Sequence, residues 1–121
     1  MSHTSTVFIP QVPMTRDHAT GEFRSMFSME SAQVYGQQRI LFEPRPVIFD
    51  TVRVTRHLNH ELRNFSDEDW IICVGDPSLM TTTVAVAARI NGGRFGLLKW
   101  DRRSQQYAGI RVDISGKAQK D

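Results

Sequence analysis

WIICVGDPSLMTTTVAVAARINGGRFGLLKWDRRSQQYAGIRVDI, residues 70–114, is the stretch that decides the fold of this chain. It begins with an apolar run at residues 70–74, which is typical of a buried strand. Asp76 is a good N-cap, and Pro77 suits the first position of a helix, where its missing N–H costs nothing. The helix should stop at the Asn-Gly-Gly of residues 91–93, and a hairpin of two strands follows. The stretch therefore predicts a β-α-β-β unit.

The helix in this unit is apolar nearly all round, and its alanines allow other backbones to approach closely. A helix of this kind is normally central and covered on more than one side. In the hairpin the side chains alternate, so that Ile110, Val112 and Ile114 should face one way. Arg111 and Asp113 should face the other way.

Working outward, residues 7–12 form a β-branched run that Pro10 interrupts, which favours an edge strand because proline donates no hydrogen bond to a ladder. Residues 22–27 and 37–42 are further strands, separated by a short helical turn. Asp50 should cap a helix that runs to about Phe65. Its apolar stripe is predicted to be Val54, Leu58, Leu62 and Phe65. The predicted fold class is α+β: a mixed β-sheet packed with two helices on one face.

The chain has 121 residues, of which 40% are hydrophobic. This predicts one globular domain over residues 1–114, followed by a polar, basic tail at 115–121. No run approaches the roughly 20 apolar residues of a membrane span, and the first residues do not resemble a signal peptide. The only cysteine, Cys73, lies in the apolar strand and is expected to be a small core residue, not a reactive thiol. A reducing compartment fits this composition.

Charge is distributed unevenly along the chain. Residues 1–88 contain seven Lys or Arg and ten Asp or Glu, a net of −3, whereas residues 89–121 contain eight and three, a net of +5. A basic C-terminal third favours a polyanion or an acidic protein surface as partner. The alternative is a solvated face with a frayed tail.

The predicted hairpin combines basic and aromatic side chains. Basic groups can hold phosphates while aromatic rings stack on bases, as in proteins that bind single strands. The candidate residues for binding nucleic acid or a protein partner are Arg94, Lys99, Trp100, Arg102, Arg103, Tyr107 and Arg111. The alternatives are that these residues contact an acidic protein surface, or that the aromatic rings belong to the core and the charges are merely solvated.

A second basic face is predicted on the helix after Asp50. It consists of Arg53, Arg56, His57, His60 and Arg63. His57 and His60 are three residues apart, which is not the HExxH spacing of helical zinc sites, and the arginines disfavour a cation. The chain has no phosphate-binding glycine loop, no GxSxG and no carboxylate pair with diverging environments. The sequence predicts no catalytic residue, cofactor or metal, and it favours a non-enzymatic protein while leaving a small enzyme open.

Three blocks, VFIPQVPMTRDHATGEF, SDEDWIICVGDP and LLKWDRRSQQYAGIRVDI, resemble small uncharacterised proteins of tailed bacteriophages. The resemblance extends over residues 7–114 and implies a location in the host cytoplasm or the virion, but no activity. We expect a phage accessory protein that contacts nucleic acid, or the machinery that handles it, through the hairpin. The alternative is a virion component or an inhibitor of a host protein, which would bind through apolar anchors such as Trp100 or Phe27. A homo-oligomer is compatible with either function.

Overall fold

The computed structural model describes residues 5–25, 30–44 and 50–117. Phe27, one of the two expected apolar anchors, and the end of the tail at 118–121 lie outside the described residues. The described elements are β1 (Thr6–Gln11), β2 (Met14–Arg16), β3 (Phe23–Ser25), a 3₁₀ helix (Glu30–Tyr35), β4 (Gln37–Phe42), α1 (Thr51–Glu61), β5 (Trp70–Ile72), α2 (Pro77–Ile90), β6 (Arg94–Asp101) and β7 (Gln106–Asp113).

Five strands form the main sheet in the order β4-β1-β5-β6-β7, and β2 pairs with β3 in a separate ribbon. The pairs β1–β4, β1–β5 and β5–β6 are parallel, while β7 is antiparallel to β6. Parallel strands need crossover connections. Helix α1 supplies one between β4 and β5, and α2 supplies one between β5 and β6. The mixed sheet, the α+β class and the β-α-β-β unit are therefore confirmed.

Both helices pack on the same face of the sheet, as expected. The apolar stripe of α1 meets α2 and the side chains that one face of the sheet directs toward them. The residues of this core are Phe8, Leu41, Val54, Leu58, Leu62, Phe65, Ile71, Leu79, Val86, Ala87, Ala88 and Phe95.

The opposite face of the sheet is covered by the 3₁₀ helix, which places the fully buried Ala32 against it. The core on this side contains Val7, Ile9, Ala32, Ile72, Val74, Leu98 and Tyr107, with Val12, Tyr35, Trp70 and Trp100 at its margin. Because β1 contributes to both cores, its side chains are buried on both faces, as is usual for a central parallel strand.

The expectation that β1 is an edge strand was wrong, since β1 lies between β4 and β5. Strand β5 is short, and its register with β1 covers only Val7 and Phe8. Pro10 lies beyond that overlap and has no register partner in β4 either. A central strand therefore tolerates this proline because neither neighbour needs a hydrogen bond from it.

The helix caps agree with the sequence. The Asp76 Oδ1 accepts hydrogen bonds from the backbone N–H groups of Ser78 and Leu79 at 2.8 and 3.2 Å. The Asp50 Oδ1 accepts one from the Arg53 N–H at 3.1 Å. Helix α1 ends one turn earlier than expected, with Leu62 as its C-cap.

Candidate functional site

The structure does not bring the seven hairpin candidates to one surface. Successive residues of a strand point to opposite faces. Lys99 therefore lies on the helix side of β6, together with Phe95 and Leu97 of that core, whereas Trp100 belongs to the opposite side with Tyr107. Arg102 and Arg103 lie in the exposed turn between β6 and β7. The turn is ordered by Asp101, whose carboxylate accepts hydrogen bonds from the Arg103 N–H and the Ser104 hydroxyl.

The hairpin aromatics are used in packing. Trp100 meets Tyr107 edge to face, with ring centroids 5.0 Å apart, and Tyr107 is buried. The Tyr35 hydroxyl donates to the Tyr107 carbonyl at 3.0 Å, and the Tyr35 ring meets Trp70 edge to face at 5.3 Å. Burial raises the pKa of the Tyr107 phenol. These rings are held by one another, so they do not form an open platform for stacking bases.

Arg111 and Arg94 are also engaged within the chain. The Arg111 guanidinium lies 3.7 Å from the Trp70 ring centroid, in a cation–π contact, and donates to the Asp69 carbonyl at 3.3 Å. Arg94 forms an ion pair with Asp67 at 3.0 Å. The pKa of Asp67 is lowered by hydrogen bonds from Asn91 and Arg94. Of the hairpin cations, Lys99, Arg102 and Arg103 have no ion-pair partner among the residues that the structure describes.

The basic face of α1 stays together but is partly committed to structure. The His57 ring hydrogen-bonds the Leu41 carbonyl at 2.9 Å and packs against Phe42. Arg63 donates to the His60 carbonyl at 2.7 Å and so satisfies the end of the helix. Arg53, Arg56 and His60 line a concavity of about 630 Å³. Its other lining residues are Asp50, Val52 and His57.

The two basic faces lie at opposite edges of the sheet. His57 contacts the end of β4, which is one edge strand, whereas the hairpin ends in β7, which is the other. A single short ligand would not contact both at once.

A further concave surface of the described residues was not predicted from the sequence. It is an open groove of about 900 Å³ between one side of α2 and the sheet at β6. The lining is Cys73, Met80, Thr81, Val84, Ala85, Ala88, Arg89, Gly92, Gly93, Phe95, Leu97 and Ile114, with no acidic residue among them. We call this surface the α2 groove.

Helix α2 was expected to be covered on more than one side, and this is only partly correct. Helix α1 packs on one side of it, and a hydrogen bond from Arg89 to Asn59 joins the two helices. The described chain has no third α-helix for the other side, and its 3₁₀ helix packs on the opposite face of the sheet. The sequence did contain a signal for an open groove. Helix α2 is apolar on nearly all sides, and only one other long helix was predicted to cover it, so part of its apolar surface could have been expected to stay exposed.

Cys73 corrects another expectation, because its side chain is exposed and lines the α2 groove instead of lying in the core. It directly follows β5, which ends at Ile72. Partial burial raises the pKa of the thiol, against the opposing effect of the Lys99 charge. The thiol is therefore protonated at neutral pH and is a weak nucleophile.

The described part of the chain holds no group of three or more His, Cys, Asp or Glu side chains placed to bind a metal ion. None of its helices has the length and hydropathy needed to cross a membrane.

A family model described as Phage Pam3 gp32-like protein matches residues 5–114, nearly the whole chain. No curated protein and no solved structure matched.

Proposed function

This chain belongs to the Phage Pam3 gp32-like protein family, and from that premise we propose that it is a non-enzymatic phage accessory protein that binds a partner protein through the α2 groove. The observation that carries the proposal is the open, almost wholly apolar lining of that groove. Apolar surface left in water is unfavourable in proportion to its area. Contiguous apolar patches on a soluble domain commonly mark interaction sites.

The groove fits an amphipathic helix from the partner. The residues of α2 that line the groove run from Met80 to Arg89, so this wall is about 15 Å long, enough for a partner helix of about three turns. Such a helix places apolar side chains at i, i+3, i+4 and i+7 into a groove of this kind. Met80, with its flexible thioether, can adapt to different apolar side chains.

The charges beside the groove determine which polar residues the partner helix should carry. Arg89 lines the groove, and the exposed Lys99 lies on the same face of the sheet as the groove residue Leu97. Without an acidic residue in the lining, the groove favours a partner helix whose polar face carries Asp or Glu. Both a host protein and a virion protein can supply such a helix, so the proposal covers action in the host cytoplasm and in the virion.

Replacing Ala85 with Glu is expected to weaken binding of such a helix at least about tenfold, because docking would bury an unpaired carboxylate. Ala85 is exposed and lines the groove, so the substitution does not disturb the core. The probe is a labelled amphipathic peptide with leucines on one face and glutamates on the other, titrated by fluorescence anisotropy.

The matched control is Thr82→Glu, which adds the same charge to α2 outside the groove lining. A peptide with lysines in place of the glutamates tests the charge selection. Equal affinities for the parent and the Ala85→Glu variant would contradict the proposal.

A second candidate function is nucleic-acid binding, and a specific observation favours it. Arg102 and Arg103 are adjacent, exposed and without an ion-pair partner among the described side chains. Arg53 and Arg56 on α1 are also exposed and without an ion-pair partner among the described side chains, and both line a concavity. Exposed arginines of this kind suit phosphate groups, which their planar forks can bind through two hydrogen bonds.

If the hairpin turn binds nucleic acid, the double substitution Arg102→Gln and Arg103→Gln should weaken binding by a similar factor on every sequence. For single-stranded DNA it should reduce the slope of log K against log salt concentration by about 1.4, since each lost phosphate contact contributes about 0.7. Anisotropy of labelled DNA at several salt concentrations measures this slope.

The charge-matched comparison is Arg53→Gln with Arg56→Gln at the other edge of the sheet. A reduced salt slope in the α1 variant alone would place the nucleic-acid site on α1 instead of the hairpin turn. Unchanged DNA binding in both double variants, or no DNA binding by the parent, would contradict the nucleic-acid function.

A further inference from the structure

Strand β7 is an edge strand with an unpaired side. It pairs with β6 over eight residue pairs in an unbroken register, from Arg94 with Asp113 to Asp101 with Gln106. None of the described strands pairs with its other side. On this outer side the Tyr107 carbonyl accepts a hydrogen bond from the Tyr35 hydroxyl, and the Asp113 carbonyl accepts one from the Gly116 N–H. Between them, at Gly109 and Arg111, no described strand pairs with the backbone of β7, so this centre can accept a strand from another chain.

β7 also lacks the features that usually protect an edge. Natural edge strands are short, bulged, or carry lysine or proline. β7 has eight residues, QYAGIRVD, without lysine or proline, and its register contains no bulge. Its only basic side chain, Arg111, is folded back over Trp70. Ile110 is 41% exposed, and Ile114, directly after the strand, is 70% exposed.

The opposite edge of the sheet is better protected. β4 is shorter, with six residues, and carries Arg39, which is half exposed and pairs with Glu61. The exposed Ile40 of β4 nevertheless gives a useful comparison, because it is a large apolar side chain at an edge, as Ile110 is.

We propose that β7 pairs with β7 of a second copy of this chain, antiparallel and centred on Ile110. The two five-stranded sheets then join into one continuous sheet. An antiparallel pair of identical strands is a two-fold interface, in which the same patch serves both partners. Main-chain hydrogen bonds supply affinity, and the facing side chains set the register.

The sequence of β7 is self-complementary in this register. On the helix side, Ile110 meets its own counterpart, and Ala108 faces Val112, which sets a small side chain against a branched one. On the other side, Gly109 faces Arg111, and Tyr107 faces Asp113. No two like charges lie directly opposite, so the pairing avoids the repulsion that disfavours most self-association of charged strands.

This interface is separate from the α2 groove. Ile114 lines the groove, but the other groove residues lie on α2, on β6 and in the segments that flank them. The pairing uses the outer side of β7, so it would leave the groove open in each copy. Either proposal can therefore fail while the other stands.

The first test is the mass of the full chain in solution by analytical ultracentrifugation. We expect a concentration-dependent dimer, and we expect Ile110→Lys to raise its dissociation constant at least about tenfold, because two lysines would meet at the centre of the pair. Ile40→Lys makes the same chemical change at the other edge and should leave the dimer unchanged. A parent that stays monomeric at every concentration measured overturns the proposal, and so does a dimer that only Ile40→Lys dissociates.

The second test fixes the register by cross-linking. In a Cys73→Ser background, which removes the exposed native thiol, Ile110→Cys should form an intermolecular disulfide on mild oxidation. Ala108→Cys should not, since each new cysteine would face Val112. The combined Ala108→Cys and Val112→Cys variant should cross-link. Cross-linking through Ala108→Cys alone, at the rate of Ile110→Cys, would contradict the register.

Discussion

Replacing Asp69 with Ala should lower the free energy of unfolding by about 3 kcal/mol, because it leaves buried backbone donors without acceptors. Asp69 is only 2% exposed. Its Oδ1 accepts a hydrogen bond from the Thr6 N–H at 3.0 Å, and its Oδ2 accepts one from the Ser66 N–H at 2.9 Å. The carboxylate thus joins the start of β1 to the turn that precedes β5. Urea denaturation followed by tryptophan fluorescence measures the loss.

Two controls make this prediction specific. Asp67→Ala removes a carboxylate two positions away that is 58% exposed and paired with Arg94, and it should cost less than about 1 kcal/mol, as exposed ion pairs do. Asp69→Asn keeps one acceptor oxygen and replaces the other with a donor, so its loss should lie between those of the two alanine variants. Equal losses for Asp69→Ala and Asp67→Ala would show that the buried hydrogen bonds do not contribute as stated.

Replacing Gly75 with Ala should cost a similar amount, about 3 kcal/mol, for a different reason. Gly75 has φ of +101°, in the region that disfavours residues with a Cβ. An added Cβ would lie 2.7 Å from the Gln11 carbonyl oxygen and 2.8 Å from its Cβ. The Gln11 side chain itself accepts a hydrogen bond from the Asp76 N–H at 3.1 Å. A shift of Gly75 would therefore disturb β1 and the start of α2 together.

Gly116→Ala separates the two contributions. Gly116 has φ of +83°, but nothing lies within 4 Å of a Cβ added there. Its substitution should cost only the backbone strain, about 1 kcal/mol. The difference between the two variants measures the steric clash at Gln11. Similar losses in both would show that the contact between β1 and the Gly75 turn relaxes freely.

The features that were predicted correctly depend on residues close together in the chain. Asp76 and Pro77 were recognised as the start of a helix because capping involves residues within three positions of each other. The buried stripe of α1 follows from its 3.6-residue period, and the alternation of the hairpin follows from a period of two. The family resemblance also came from the chain alone, and the match over residues 5–114 confirms it.

The binding surfaces needed the tertiary structure. Alternation already implied that Lys99 and Trp100 point to opposite faces, but which face packs on α1 and α2 depends on contacts between distant parts of the chain. The ion pair joins Arg94 to Asp67, which lies 27 positions earlier in the chain. The cation–π contact joins Arg111 to Trp70, which lies 41 positions earlier. Such pairs leave no local signal.

By itself, the sequence determined the two helices with their N-caps, the buried stripe of α1, the β-α-β-β unit and the phage family, because each of these depends on local spacing or on the chain as a whole. Only the tertiary structure decided that β1 is central, that Cys73 is exposed and that α2 is open on one side. The physical reason is that burial depends on which elements lie beside a residue. Strand order and helix coverage are set by the assembly of the whole core, which no short window of sequence contains.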